Sequence, residues 1–219
     1  FLNDFDEGIS RIIDNAYGLP WPNIIFTENA TPYWDENVIL SMSLSKIGLP
    51  TLRTGIIIAD KEIITALSNL NAIVALASGS VGQAIATPLI KTGKLVEVAK
   101  KVVRPYYENK SKLAIQWFHK YFSDTNYAVH KSEGAIFQWL LLKDLKISSM
   151  EFYSELKNKG VIVVPGEYFF FGNDTNSNLP KVEDHPHYSK CLRINYAAGT
   201  SEEVEEGIKI IAKTYKEFS

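Results

Sequence analysis

A single cysteine, Cys191, stands in 219 residues. It excludes a disulfide framework within the chain and fits a reducing compartment. Charge of one sign is also missing. With 23 Lys and Arg against 25 Asp and Glu, the net charge is −2, so no basic field draws the chain to nucleic acid or to an anionic membrane. No apolar run approaches the ~20 residues of a membrane span, and no signal-peptide pattern is visible. A cytoplasmic location is expected. Three N-x-S/T triplets, beginning at Asn29, Asn109 and Asn173, lack the secretory context that the glycosylation motif needs and read as chance matches. Histidine is scarce, with four in the chain. Two of them lie in Asp184-His185-Pro186-His187, but a zinc site needs three or four ligands, so this stretch reads as a polar loop and no metal is expected. His119 and His130 have no evident partner. Trp21, Trp34, Trp117 and Trp139 read as packing residues. An initiator methionine is absent too. Phe1-Leu2-Asn3-Asp4-Phe5 reads as the end of a helix whose beginning is missing, so a fragment is expected.

What is present suffices for a core. At 46% apolar, the chain can fold as one domain or two small ones. Residues 11–14, 38–42 and 55–59 are continuous apolar runs of strand length, the kind that suits a sheet covered on both faces in an α/β protein. Residues 17–32 form a Pro- and Gly-rich loop. Asp60 is a helix cap, and a helix over 61–76 is broken at Ser78-Gly79-Ser80-Val81-Gly82. A second helix ends at Thr92-Gly93. From 94 to 122 the apolar residues share one helical stripe, which Pro105 kinks or divides. The last third is α+β: strands over 127–130, 135–142, 161–164 and 192–196, and two helices opened by the capping boxes Ser148…Glu151 and Thr200…Glu203. In the final helix Val204, Ile208, Ile211, Tyr215 and Phe218 form a core stripe. The expected division is 1–93 and 94–219, with the long helical segment as connector.

Chemistry concentrates in Ser43-Leu44-Ser45-Lys46-Ile47-Gly48-Leu49-Pro50-Thr51-Leu52-Arg53-Thr54-Gly55. Lys46 lies on a turn between two apolar strands. Ser43 and Ser45 offer hydroxyls, and Arg53 offers a planar two-pronged fork for phosphate. A lysine beside a phosphate site is the arrangement that holds pyridoxal phosphate (PLP), since its amine condenses reversibly with an aldehyde. Asp14 ends a strand, where a carboxylate points into the crevice at the sheet's C-terminal edge. There it could keep a pyridine nitrogen protonated, while Tyr17 could donate to a ring oxygen. The plainer reading is an Asx-turn aspartate and a packing tyrosine. Arg193 interrupts the apolar strand Leu192-Arg193-Ile194-Asn195-Tyr196. Charge is seldom buried without a partner, so it serves either a structural ion pair, an exposed strand face or a two-pronged contact with a substrate carboxylate.

Together Asp14-Asn15-Ala16-Tyr17, the lysine motif with Arg53, and the late arginine resemble the fold-type I PLP enzymes of the aspartate aminotransferase superfamily. Glu133-Gly134-Ala135-Ile136-Phe137, Val164-Pro165-Gly166-Glu167-Tyr168-Phe169-Phe170-Phe171-Gly172 and Cys191–Tyr196 extend the resemblance over nearly the whole chain, toward the branch acting on valine, alanine and pyruvate. The resemblance implies an α/β fold: part of a large PLP-binding domain with a mostly parallel sheet, joined by a long helical segment to a C-terminal α+β small domain. It implies that Lys46 is the Schiff-base lysine and proton shuttle, that Asp14 pairs with the pyridine nitrogen and Tyr17 with the ring oxygen. Ser43, Ser45 and Arg53 would hold the phosphate, and Arg193 the substrate carboxylate. The partners it implies are a small amino acid and a 2-oxo acid, with a homodimer as the intact assembly and Ser78-Gly79-Ser80 at its interface. Family members carry roughly as much chain again before this point. That part holds a ring-stacking aromatic and a phosphate loop, so the 219 residues alone are expected to be inactive and without bound cofactor. The lysine motif also serves C–S lyases, decarboxylases and PLP-binding transcription regulators. Half a sheet would leave an open edge and an uncovered apolar face, which favours self-association.

Overall fold

A computed structural model of the chain describes residues 11–76, 79–171 and 181–219. The expectations placed on residues 1–5, Ser78, Gly172 and Asn173 lie outside the described residues. The chain divides into two compact units, the first ending at Tyr106 and the second running from Tyr107 to Ser219.

In the first unit β1 (Arg11–Asp14), β2 (Val38–Ser43) and β3 (Gly55–Ile58) form a sheet in that order. β1 runs parallel to β2, with Asp14 opposite Ser41. β3 runs antiparallel to β2, with Ser43 opposite Gly55. The expected mostly parallel sheet is therefore mixed among the described residues. The link from β2 to β3, residues 44–54, holds two 3₁₀ turns and no α-helix, and a parallel return needs a crossover of about a dozen residues or more, usually a helix. Burial on both faces is not observed either. Val38, Leu40 and Met42 alternate into the core, whereas Ile12 is 75% exposed and Ile57 46%. An unbroken apolar run identifies a strand without showing what covers it.

Asp60 caps α1 (Lys61–Val74), its Oδ1 accepting the Glu62 N–H at 2.7 Å. α1 buries none of its residues. α2 (Val81–Lys91) lies against the turn before β3. A Cβ at Gly82 would sit 1.8 Å from Thr54 Oγ1, so the close approach requires glycine here. Pro105 stands at a boundary, in the first turn of the last of three successive helical segments. α3 (Lys94–Val98) passes through a π turn (Ala99–Val103) into α4 (Arg104–Tyr121), and the Arg104 N–H reaches back to the Ala99 carbonyl. The wider turn absorbs the hydrogen bond that proline cannot make.

The second unit has its own antiparallel sheet, ordered β4 (Tyr127–Val129), β5 (Phe137–Leu142), β7 (Cys191–Asn195) and β6 (Val164–Pro165). The strand expected over 161–164 forms only at Val164–Pro165, paired with Arg193 and Leu192. Period-2 patterning separates the two faces of this sheet. Leu140, Leu142, Leu192 and Ile194 enter the core with Phe118 and Phe122, with Phe152 and Leu156 of α5 (Ser149–Asn158), and with α6 (Ser201–Glu217). Both capping boxes form: Glu151 N–H to Ser148 Oγ at 3.2 Å, and Glu203 N–H to Thr200 Oγ1 at 3.2 Å, each with the reciprocal glutamate contact. The α6 stripe is core as expected, with Ile208, Ile211 and Tyr215 at 1% exposure or less. Each such side chain contributes about 1.5–3 kcal/mol on burial.

Candidate active site

Five of the expected site residues cluster in sequence and topology at one end of the first unit's sheet. Asp14 is the last residue of β1. Ser43 ends β2, and Ser45 and Lys46 follow in a single 3₁₀ turn. That turn closes at Gly48, whose φ of +98° lies in the left-handed region where only glycine is unstrained. Arg53 stands at the far end of the same connection. It is held there by hairpin pairing: Leu44 N–H bonds the Thr54 carbonyl at 3.2 Å, and Ser43 faces Gly55. Arg53 itself adopts φ +46°, a strained conformation for a side chain of its size.

Asp14 is exposed, and its Oδ1 accepts the Ala16 N–H at 3.1 Å and the Ser41 hydroxyl at 3.5 Å. So the Asx-turn reading holds locally, and the carboxylate still has lone pairs to spare. Tyr17 lies beyond that turn. Its carbonyl accepts the Ile24 N–H at 2.9 Å, and its ring sits beneath the Lys46 ammonium, with Nζ 5.7 Å from the centroid. Ser43 Oγ accepts the Ser45 N–H at 3.1 Å and so fixes the start of the lysine turn. Among the described residues neither Lys46 nor Arg53 is paired with a carboxylate. Two uncompensated cations, two serine hydroxyls and a carboxylate thus come from one sheet end. A cleft of ≈ 770 Å³ between β3 and α1 includes Arg53 but neither Lys46 nor Asp14, so residue chemistry, not cavity size, marks the site.

Arg193 belongs to the second unit. It lies on the sheet face opposite the core, directly across from Trp139. Its guanidinium carbon stands 4.3 Å from the Phe137 ring centroid and 4.9 Å from that of Phe169. Its Nε is buried without a hydrogen-bond partner, and no ion pair forms with a described residue. The structural ion pair weighed from sequence is therefore not seen among the described residues. Phe137 and Phe169 escaped sequence reasoning. The alternation Phe137-Gln138-Trp139 could have placed Phe137 on the arginine's face, but Phe169 arrives from a separate turn (Gly166–Phe169) that no periodicity announces. That turn approaches β7 closely: a Cβ at Gly166 would sit 2.6 Å from Cys191 Cβ and 2.7 Å from its carbonyl oxygen. The Cys191 thiol is buried, and desolvation pushes its pKa up to about 11, so it is no nucleophile at neutral pH.

Two residues before Phe137, Ala135 adopts φ +62°. The Tyr196 hydroxyl donates to the Ala135 carbonyl at 2.6 Å, and burial pushes that phenol up to about 12. His119, expected to lack a partner, has one: its Nδ1 is 2.8 Å from the Tyr127 hydroxyl. A tyrosine eight residues on, across a turn, gives no sequence signal. The His185 and His187 rings meet edge-on at 5.3 Å. No group of three or more metal-ligating side chains occurs among the described residues.

The chain is 44% identical to valine–pyruvate aminotransferase of Escherichia coli (strain K12) over 207 residues, covering 94% of this chain and 47% of that relative. It is 28% identical to aromatic-amino-acid aminotransferase 1 of Thermococcus litoralis over 186 residues, covering 84% of this chain and 41% of that one. The crystal structure of valine-pyruvate aminotransferase AvtA from Salmonella typhimurium LT2 superposes with a TM-score of 0.83 at 44% identity, covering 94% of this chain and 50% of that one. The chain spans about half the length of the curated relatives it matches. The family model for aminotransferase class I and II matches residues 8–211, and this protein belongs to that family.

Proposed function

We propose that the protein carrying this sequence is a PLP-dependent aminotransferase that moves an amino group between a small aliphatic amino acid, valine or alanine, and a 2-oxo acid such as pyruvate. The observation that carries the reading is the pair of uncompensated cations, Lys46 and Arg53, set at one sheet end with Asp14, Ser43 and Ser45. The 44% identity to the Escherichia coli relative supports the substrate class. Because the chain spans about half of that relative, the activity is assigned to the whole protein, as a cytoplasmic homodimer. The division proposed is part of a large PLP-binding domain over 1–93 and a connecting helix with a small domain over 94–219.

The residues fit the cofactor. A dianionic phosphate suits a guanidinium and two hydroxyls that are not consumed by an acidic neighbour. When bound, PLP supplies an electron sink for negative charge developing at the substrate Cα. The Lys46 amine would anchor the cofactor's aldehyde and carry a proton at the substrate carbon. The Tyr17 ring lies 5.7 Å beneath the Lys46 nitrogen and orients that side chain without a carboxylate. Asp14 would hold a proton on the ring nitrogen. The Tyr17 hydroxyl would donate to the ring oxygen. Arg193 would orient the substrate through its carboxylate. Adding PLP to the whole protein should give the long-wavelength absorbance of a lysine-bound aldehyde cofactor, lost in Lys46→Ala. Persistence of the band in that variant overturns the assignment of Lys46. A whole protein that binds PLP but does not transaminate valine with pyruvate overturns the substrate class.

A further inference from the structure

We propose that Phe137 and Phe169 are positioning residues that clamp the Arg193 guanidinium flat, so that its two terminal nitrogens face outward as a carboxylate receptor. This rests on the reading of Arg193 as the carboxylate-binding group and adds what holds it ready. A half-buried arginine ordinarily takes its orientation from an acidic partner. Arg193 has none among the described residues, and its Nε is sealed from water with no acceptor. Leaving such a donor unmet is costly unless something electron-rich lies against it. Two aromatic faces do, at 4.3 Å and 4.9 Å from the guanidinium carbon. Ring faces attract the cation without neutralising it. A carboxylate clamp at the same place would spend the positive charge before a ligand arrived; aromatic rings leave it available.

The surroundings hold the two rings. Phe137 lies diagonally across from Arg193, being in register with Asn195 while Trp139 faces the arginine. The segment leading into it is fixed by Tyr196, whose hydroxyl holds the carbonyl of Ala135 in its left-handed conformation. Backbone outliers of this kind persist only where the surroundings over-determine them. Phe169 meets Trp139 edge-on at 5.4 Å, and its turn begins at Gly166, where contact with Cys191 leaves no room for a side chain. Both rings are thus tied to β5 and β7, the strands that carry the arginine's own register.

The test uses the whole protein and isovalerate, a probe with a branched side chain and a carboxylate but neither amino nor oxo group. Binding is followed by NMR through the Nε–Hε resonance of Arg193. Unsubstituted chain should show a saturable shift, and Arg193→Lys, followed by calorimetric titration because it lacks that resonance, should lose binding. Phe137→Leu and Phe169→Leu should each weaken binding about three- to tenfold, while Phe137→Tyr and Phe169→Tyr restore it. A merely structural role would lower the melting temperature in the leucine variants and leave affinity where it was, which overturns the clamp. Absence of any shift in the unsubstituted chain overturns the carboxylate reading of Arg193 and the clamp with it. Should a leucine variant not fold, the unsubstituted chain decides: a clamped guanidinium rotates slowly about Nε–Cζ and gives separate Nη signals, whereas one averaged signal overturns the proposal.

Discussion

Replacing Tyr215 by phenylalanine removes one oxygen from the core of the second unit and changes nothing in volume. The ring is fully buried in α6. Its hydroxyl donates to the Asn126 carbonyl at 2.8 Å and accepts the Asp144 N–H at 2.9 Å, so one atom ties together the segments flanking β4 and β5. The two losses are unequal. The Asn126 carbonyl keeps a second donor, the Lys143 N–H at 3.1 Å, and forfeits only the net worth of one hydrogen bond, about 0.5–1.5 kcal/mol. The Asp144 N–H loses the hydroxyl and faces a ring edge instead. A stranded donor costs about 1–3 kcal/mol when buried, and Asp144 is an exposed residue, so the low end applies. The expected total is about 1.5–2.5 kcal/mol, with no cavity contribution. In a unit of this size that lowers the melting temperature by roughly 6–15 °C. Urea unfolding monitored by tyrosine and tryptophan fluorescence, with the slope unchanged between the two chains, measures it. A loss under about 0.5 kcal/mol would refute the reasoning, because it would mean that water or a shifted backbone replaces the hydroxyl at no cost.

Gly166→Ala should be harsher than any surface change, costing more than about 3 kcal/mol. The added Cβ meets the Cys191 backbone, not a flexible side-chain tip; a variant that melts like the parent chain shows that β6 can move aside. The Tyr196 phenol predicts an alkaline limit. Its folded-state pKa is raised to about 12 from 10.0 by burial, so the stability it contributes is complete below pH 10 and is lost as pH rises through its folded-state value. Stability measured from pH 9 to 12 should fall more steeply in the parent chain than in Tyr196→Phe, and parallel curves would count against the assignment.

Much of the second unit was legible because its signals are local. A capping box is two residues three apart, and the α6 stripe is a single period; both survive folding unchanged. The lysine connection was legible for the same reason, with Gly48 and the flanking apolar runs fixing its turn. What sequence concealed depends on pairing between distant segments. The antiparallel return of β3 is decided by the length of its link, and the exposure of Ile12 and Ile57 by what lies against the sheet. The segment 161–163 has the composition of a strand and yet only Val164–Pro165 pairs, because pairing needs a partner in register as well as propensity. At the site, Arg193 stood out as a charge in an apolar strand, while its aromatic neighbours did not, since phenylalanine is unremarkable in any core-forming chain.

The alternation across β5 and β7 has a consequence for how the site survives error. Sliding β7 by one residue would send Arg193 into a hydrocarbon interior without a counter-ion and push Leu192 and Ile194 toward water. The penalty for such a slip falls on the arginine and the leucine together. A residue set aside for recognition therefore also polices the pairing that builds the sheet, and a neutral substitution at position 193 would loosen the strand's alignment as well as its chemistry.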